Sequence, residues 1–248
     1  MKILKEIPDN SIDIVLTDPP YMISSSLKIR RQRNPMKFNK KQYKFKGKDI
    51  DYKFGDWDIF NTMTDYLQFT EVWFKESIRV LKKGGHIVSF FDKHKLSYLV
   101  HWADELNVKT RQCLFWIKSN PVPQARKVAF MSAVELCYWG TKETITRKFA
   151  TFNYQLGQHP DYIITPICSG HERHQFGFHP TQKPEKVIAW IMSYLSNPND
   201  IVLDPFLGSG TTAVVAKKLG RNYIGIELNA EYIDIANKRL ANTPPPLI

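Results

Sequence analysis

The sequence predicts an α/β protein with a doubly wound, mostly parallel sheet, because two strand-to-turn junctions bracket a series of alternating helices and strands. The first junction is the apolar, β-branched run 12–17, typical of a strand covered on both faces, followed at once by residues 18–21, Asp-Pro-Pro-Tyr. The second is a strand, a glycine-rich turn, a helix and a further strand over 201–226. Ligands of open α/β sheets bind at the carboxyl ends of strands, so both junctions are candidate site segments.

Between the junctions, apolar periodicity predicts the helices that cover such a sheet. The helix over 66–83 carries Lys82 and Lys83 in its last turn, where cations are favourable. Pro184 is predicted at the first position of a later helix, which its fixed φ angle suits. The other predicted elements are strands over 87–91, 112–117 and 133–139 and a helix over 95–106.

The positive charge of the chain is concentrated in one stretch. The formal net charge is +11 at pH 7, and residues 28–53 hold eleven Lys and Arg against two Asp, so this stretch accounts for +9. Aromatic residues such as Tyr43 and Phe45 are interleaved with the cations, a pattern that suits phosphate contact and base stacking. We predict that 22–58 is a basic, mobile loop that contacts nucleic acid; a solvated loop without a partner is the alternative.

The spacing of the cysteines and the hydropathy of the sequence indicate the compartment in which the protein resides. The three cysteines are scattered with no C-x-x-C pair, which indicates a reducing compartment without a disulfide framework. No segment has the length and apolarity of a membrane span and the amino terminus has no signal-peptide pattern, so we predict a cytoplasmic location. No metal is expected, since the spacing in the stretch from Cys168 to His179 matches no known zinc finger.

The stretch Asp18-Pro19-Pro20-Tyr21 is the one most suggestive of chemistry. Two successive prolines break the strand sharply, because they can neither continue it nor enter a helix interior. The break presents a carboxylate, the carbonyl of Pro19 and an aromatic ring. This set suits a planar base with an exocyclic amine: two acceptors for two N–H bonds, and a ring for stacking. An ordinary Pro-Pro turn with a capping Asp is the alternative.

The second junction predicts a nucleoside site. Glu227 follows Gly210 by seventeen residues, close to the spacing of a carboxylate that holds a ribose. The lysine of a P-loop and the third glycine of the dinucleotide fingerprint are both absent, so a nucleoside cofactor without a pyrophosphate fits better. S-adenosylmethionine is the candidate. Thr181 and Lys183 stand just before a helix start, where a small carboxylate can bind.

Together these motifs resemble those of the DNA amino-methyltransferases, which methylate an exocyclic amine of adenine or cytosine. Residues 18–21 match their catalytic motif, and 179–184 resembles the segment that precedes the cofactor loop in a circularly permuted subgroup, usually called beta. The resemblance covers most of the chain and implies a Rossmann-like fold that uses S-adenosylmethionine. The cofactor-binding residues it implies are Asp18, Thr181, Lys183, Asp204, Pro205, Phe206, Gly208, Ser209, Gly210, Thr211, Thr212 and Glu227.

The resemblance also implies a division of the chain. Residues 1–140 and 179–248 would form the catalytic domain, and 141–178 would be the target-recognition insert. Family members carry a further strand and an acidic residue ahead of the stretch that matches 2–8, whereas here Met1 stands immediately before it. The predicted DNA-binding residues are Lys28, Arg30, Arg31, Arg33, Lys40, Lys41 and Lys44.

The activity that the resemblance implies is site-specific methyl transfer to N6 of adenine in double-stranded DNA, with the target base flipped out and stacked on Tyr21. Adenine is favoured over N4 of cytosine because family members of the second kind more often have Ser at the position of Asp18. An RNA or protein-amide substrate and a non-catalytic DNA-binding relative stay open as alternatives. A homodimer and a cognate restriction endonuclease, as in a restriction-modification system, stay open as partners.

Overall fold

The computed structural model describes residues 2–22, 28–29, 50–51, 58–123, 128–143 and 150–246, with the backbone alone at 28–29 and 50–51. Two compact units are present: Met1–Pro19 together with Leu67–Ile248, and Pro20–Tyr66. The elements in chain order are α1 (Lys2–Glu6), β1 (Ile12–Thr17), β2 (Lys28–Ile29), β3 (Ile50–Asp51), α2 (Met63–Val80), β4 (Leu81–Phe91), α3 (Leu96–Glu105), β5 (Val108–Lys118), β6 (Val134–Lys142), β7 (Tyr162–Thr165), α4 (Gly170–His174), α5 (Glu185–Leu195), β8 (Ile201–Asp204), α6 (Thr211–Lys218), β9 (Asn222–Gly225) and α7 (Ala230–Ala241).

Seven strands of the first unit form one sheet in the order β7-β5-β6-β4-β1-β8-β9. β1 pairs in parallel with β4 on one side and with β8 on the other, and β8 pairs in parallel with β9. Only β6 runs antiparallel to its neighbours in this sheet, β4 and β5. The predicted doubly wound, mostly parallel sheet is therefore confirmed. β1 and β8 are neighbours, and the sheet continues from β1 through β4 to one side and from β8 through β9 to the other.

The core lies around β1, an interior strand of the sheet. Ile12, Ile14, Val15 and Leu16 of β1 are completely buried, as expected of a strand covered on both faces. Helix α3 packs on β5 and β6, and α6 packs on β8, β9, α5 and α7. These layers hold the carboxyl ends of β1 and β8 in fixed positions at one edge of the sheet.

The carboxyl end of α2 differs from the prediction. The helix ends at Val80, and both cations that were predicted in its last turn, Lys82 and Lys83, belong to β4. Lys142, from β6, supplies the capping cation instead: its ammonium group donates to three main-chain carbonyls at this end of the helix, at 2.8 to 3.2 Å. Lys82 is paired with the carboxylate of Asp13 at 2.8 Å. A capping group contributed by a distant strand leaves no local sequence signal.

One further helix boundary and two predicted segments bear on the site. Helix α5 begins at Glu185, so Pro184 is its N-cap residue and not its first helical residue as predicted. The carbonyl of Pro184 accepts the N–H of Val187. The proposed recognition segment, 141–178, contributes β7, which pairs with β5 in the main sheet, and the short helix α4. Most of the predicted basic loop, 22–58, lies outside the described residues, so its role stays a prediction. None of the helices in the described ranges is long and apolar enough to cross a membrane.

Candidate active site

The two strand-to-turn junctions meet at one edge of the sheet. Val15 of β1 is paired with Leu203 of β8, so the carboxyl ends of the two strands lie side by side. The hydroxyl of Thr17 donates to Oδ1 of Asp204 at 2.6 Å, across 187 residues of sequence. Burial raises the pKa of Asp204 to about 6, against the opposing effect of hydrogen bonds from Thr17 and Thr212. A hydrogen bond therefore joins the residue before the predicted catalytic motif to the first residue of the predicted cofactor turn.

Lys183 connects the third motif to the same edge. Its side chain is 8% exposed, and its ammonium group contacts the carboxylates of Asp18 and Glu135, the second at 3.3 Å. Burial opposes the charge of Lys183, but the two carboxylates outweigh it and hold the pKa above the usual value. Lys118 pairs with the other oxygen of Glu135 at 2.8 Å. Two carboxylates and two ammonium groups thus alternate in one chain of contacts that ends on Asp18.

Glu135 and Lys118 join this edge, although neither was predicted there from the sequence. They come from the facing strands β6 and β5, where Glu135 is paired with Trp116. Burial works against the charge of Glu135, yet the nearby ammonium groups of Lys183 and Lys118 keep its pKa below the usual value. The available signal was a single carboxylate in an otherwise apolar strand, Val-Glu-Leu-Cys-Tyr-Trp over 134–139. A charge in that position requires a partner, because a buried unpaired charge is costly.

The glycine-rich turn has a shape that only glycine permits. Gly208 and Gly210 have φ angles of 54° and 84°, in the left-handed region. A Cβ on Gly210 would lie 2.7 Å from the Cβ of Ala236, and one on Gly208 would lie 3.1 Å from Nε2 of His179. The turn therefore packs closely against α7 and against the start of the third motif.

The carboxylate of Glu227 accepts hydrogen bonds from the main chain of this turn and of the residues after β9. Its Oε2 accepts the N–H of Gly208 at 2.8 Å, and its Oε1 accepts the N–H groups of Leu228 and Asn229, each at 2.8 Å. A carboxylate has about four acceptor positions. Glu227 therefore keeps acceptor capacity on Oε2 for a ligand hydroxyl beside the turn, as a ribose site requires.

The segment 179–184 packs on the same turn through buried polar groups. The side-chain oxygen of Gln182 accepts from the hydroxyl of Ser209 at 3.0 Å. Arg239 donates to the carbonyl of Ser209 and to the hydroxyl of Thr211, both at 2.9 Å. Burial, reinforced by nearby cations, lowers the pKa of His179 to about 4, so its ring is neutral at pH 7. All three predicted motifs therefore converge on the glycine turn and the end of β1.

The remaining predicted site residues are placed as follows. The ring of Phe206 packs edge-on against Trp73, with centroids 5.5 Å apart. Thr181 is half-buried, and Pro205 and Thr212 are buried. Pro20 and Tyr21 belong to the second unit, where the N–H of Tyr21 donates to Oδ1 of Asp58 at 2.8 Å. Lys28 has only its backbone described, and the other predicted DNA-binding residues, Arg30, Arg31, Arg33, Lys40, Lys41 and Lys44, lie outside the described ranges.

The stretch from Cys168 to His179, which the sequence analysis tested for metal ligands, makes other contacts. The buried thiol of Cys168 accepts from Nε2 of Gln182 at 3.1 Å. In the part of the chain that the structure describes, no group of three or more His, Cys, Asp and Glu side chains is arranged to hold a metal ion.

Glu227 keeps acceptor capacity beside the glycine turn, and Asp18 follows the neighbouring parallel strand β1. This arrangement fits a nucleoside cofactor that carries a methyl group. The sheet order and this edge site define the Rossmann-like fold of S-adenosylmethionine-dependent methyltransferases. Residues 12–238 match the model of the N6/N4 methyltransferase family, described as DNA methylase, and the chain belongs to this family. The predicted family is therefore confirmed.

Individual relatives agree with this assignment. The chain is 38% identical over 256 residues to the type II methyltransferase M.HinfI of Haemophilus influenzae, covering 98% of this chain and 66% of that protein. It is 31% identical to the type II methyltransferase M2.LlaDCHI of Lactococcus lactis subsp. cremoris, covering 96% and 86%. The chain thus spans slightly less than two thirds of the first relative and most of the second.

Solved structures share the fold. The M1.HpyAVI–SAM complex superposes with a TM-score of 0.70 at 26% identity, over 96% of this chain and 94% of that one. The cytosine-N4-specific PvuII DNA methyltransferase superposes with a TM-score of 0.71 at 21% identity, over 96% and 82%. At that identity the second comparison supports the fold alone.

Proposed function

We propose that this chain transfers a methyl group from S-adenosylmethionine to the N6 amine of adenine in double-stranded DNA. The observation that carries the proposal is the junction of three sequence motifs at one sheet edge, where Asp18 lies next to the strand that leads into the glycine turn. The family match and the M1.HpyAVI–SAM complex support the cofactor and the class of reaction. The type II names of both relatives support a place in a restriction-modification system.

The residues available for the cofactor fit its parts. Glu227 would accept the ribose hydroxyls, while Gly208 and Gly210 shape the turn beside it. Thr181 and Lys183 would meet the methionine carboxylate. When bound, S-adenosylmethionine supplies a methyl group on a positively charged sulfur.

Asp18 and Pro19 would orient the amine. The lone pair of an aromatic amine is delocalised into the ring, so the nitrogen is a poor nucleophile. The carboxylate of Asp18 and the carbonyl of Pro19 would accept its two N–H bonds and direct the lone pair at the methyl group. The gain comes from positioning and from charges that are already in place. A base inside a duplex cannot reach this edge, so it must be flipped out of the stack.

Lys183 has to change partners in this scheme. Its ammonium group contacts Asp18 in the structure, and the amine needs the same carboxylate as its acceptor. Glu135 is a second partner of Lys183, at 3.3 Å. We infer that Lys183 turns towards Glu135 and the cofactor carboxylate when both ligands bind, which makes the acceptor available as the site fills.

Two further assignments belong to the proposal. The segment 141–178 would read the DNA sequence; it leaves Phe152, Tyr154 and Leu156 about half exposed, at 49%, 62% and 55%. Transfer to N4 of cytosine by the same geometry is the second candidate, and the residue that favours adenine over it is Asp18.

Methylation of plasmid DNA with labelled S-adenosylmethionine, followed by nucleoside analysis, tests the proposal. The expected product is N6-methyladenine, absent from a parallel reaction with the Asp18→Ala variant. N4-methylcytosine as the product would refute the choice of base. Incorporation into RNA or protein alone would refute DNA as the substrate, and no incorporation into any of them would refute the activity.

A further inference from the structure

The loop between β5 and β6 emerges at the catalytic edge of the sheet. Its two stems are joined by the Lys118–Glu135 ion pair at 2.8 Å, and Glu135 contacts Lys183, which in turn contacts Asp18. The N–H of Lys118 also donates to the carbonyl of Ala133 at 2.7 Å. The base of the loop is therefore fastened to the catalytic carboxylate through two intervening side chains.

The described part of this loop presents apolar side chains to solvent. Phe130 is 98% exposed, and its neighbours Val128 and Met131 are 80% and 52% exposed. We name these three residues the apolar tip. A single exposed apolar residue is ordinary, but three within four positions, one of them a fully exposed phenylalanine, indicate a surface that something else covers.

Charge argues for the kind of partner. No acidic residue stands between Lys118 and Glu135, and the intervening sequence includes Arg126 and Lys127. The whole chain carries a formal net charge of +11, which attracts a polyanion. Exposed apolar side chains on a chain of net positive charge suit DNA, into which proteins insert Phe, Met and similar wedges between base steps.

We propose that Phe130 enters the base stack of duplex DNA at the position that the target base leaves. This rests on the proposed function, because a base that is methylated on its exocyclic amine must be extruded, and the vacancy favours its return. A phenylalanine in that vacancy stacks on the neighbouring bases and delays the return. Val128 and Met131 would pack beside it in the groove. The Lys118–Glu135 ion pair holds the base of the loop at the same sheet edge as Asp18.

The test compares substrates that do and do not need a wedge. The recognition site is first mapped from plasmid DNA methylated by the wild-type protein. Two duplexes are then made with the target base either paired or placed opposite an abasic position, where extrusion costs little. Phe130→Ala should lower kcat/KM on the paired duplex at least about tenfold and on the abasic duplex less than about twofold. Phe130→Trp, which keeps an aromatic wedge, should retain most of the activity.

Controls separate the wedge from other effects. Ile3 is 51% exposed on α1, which precedes the amino end of β1, and Ile3→Ala should leave both substrates unchanged. Thermal unfolding and cofactor affinity of Phe130→Ala should equal those of wild type, since the ring makes little contact with the protein. Equal losses on the two duplexes, or no loss on either, would overturn the wedge. Failure of the wild-type protein to methylate duplex DNA would instead overturn the proposed function.

Discussion

Glu135→Gln is the substitution that most directly tests the charge chain, by which we mean the linked ion pairs of Lys118, Glu135, Lys183 and Asp18. It removes one negative charge from between two ammonium groups, those of Lys183 and Lys118, whose side chains are only 8% and 15% exposed. A unit charge pair at 3.3 Å is worth about 5 kcal/mol at an effective dielectric constant of about 20. Lys183 keeps Asp18, and glutamine can still accept a hydrogen bond, so we expect a net loss of about 2 kcal/mol.

Denaturant unfolding and thermal melting measure this loss. For a chain of this size, about 2 kcal/mol corresponds to a fall in Tm of about 4–8 °C. The matched control is Glu71→Gln, which removes the same charge from an exposed pair with Lys75, whose side chains are 36% and 44% exposed, and should change the midpoint negligibly. Equal midpoints for Glu135→Gln, Glu71→Gln and wild type would show that the charge chain does not stabilise the fold.

The pH dependence supplies an independent check on Glu135. Its pKa in the folded protein lies below the usual 4.5, because the ammonium groups favour the carboxylate. A lowered folded pKa contributes stability that is present above the unfolded pKa and is lost as pH falls through the folded pKa. The difference in unfolding free energy between wild type and Glu135→Gln should therefore be constant near pH 7 and shrink below about pH 4.5. A difference that grows on acidification would refute this reasoning.

Three further predictions concern the ligands. Asp18→Ala should abolish methyl transfer while calorimetry still detects S-adenosylmethionine binding; substantial residual transfer would remove Asp18 from the chemistry. Glu227→Ala should weaken cofactor binding by about 1.5–3 kcal/mol, measured as the ratio of dissociation constants, through lost charge-assisted hydrogen bonds; unchanged affinity would contradict the ribose contact. Replacing Arg30, Arg31 and Arg33 with Ala should reduce the slope of log DNA affinity against log salt by up to about three units in anisotropy titrations, and an equal slope would exclude these cations from the DNA interface.

Local signals in the sequence predict where several elements end. An apolar run that ends in two prolines placed the end of β1 at Thr17, and the glycines at 208 and 210 marked a turn whose φ angles only glycine adopts readily. The strand, turn, helix and strand predicted over 201–226 are confirmed as β8, the glycine turn, α6 and β9 for the same reason. Apolar periodicity and Pro or Gly punctuation act over a few residues, and a sequence displays them directly.

Contacts between residues distant in sequence depend on the order of the strands in the sheet. Thr17 and Asp204 are in contact only because β1 and β8 are adjacent in the sheet. The sequence of neither strand specifies which strand it pairs with. Lys183 was predicted beside a cofactor carboxylate, yet the structure pairs it with Asp18 and with Glu135, which lies on an antiparallel strand. Partners of buried charges are chosen by three-dimensional proximity and by the cost of leaving a charge unpaired, so only the folded chain reveals them.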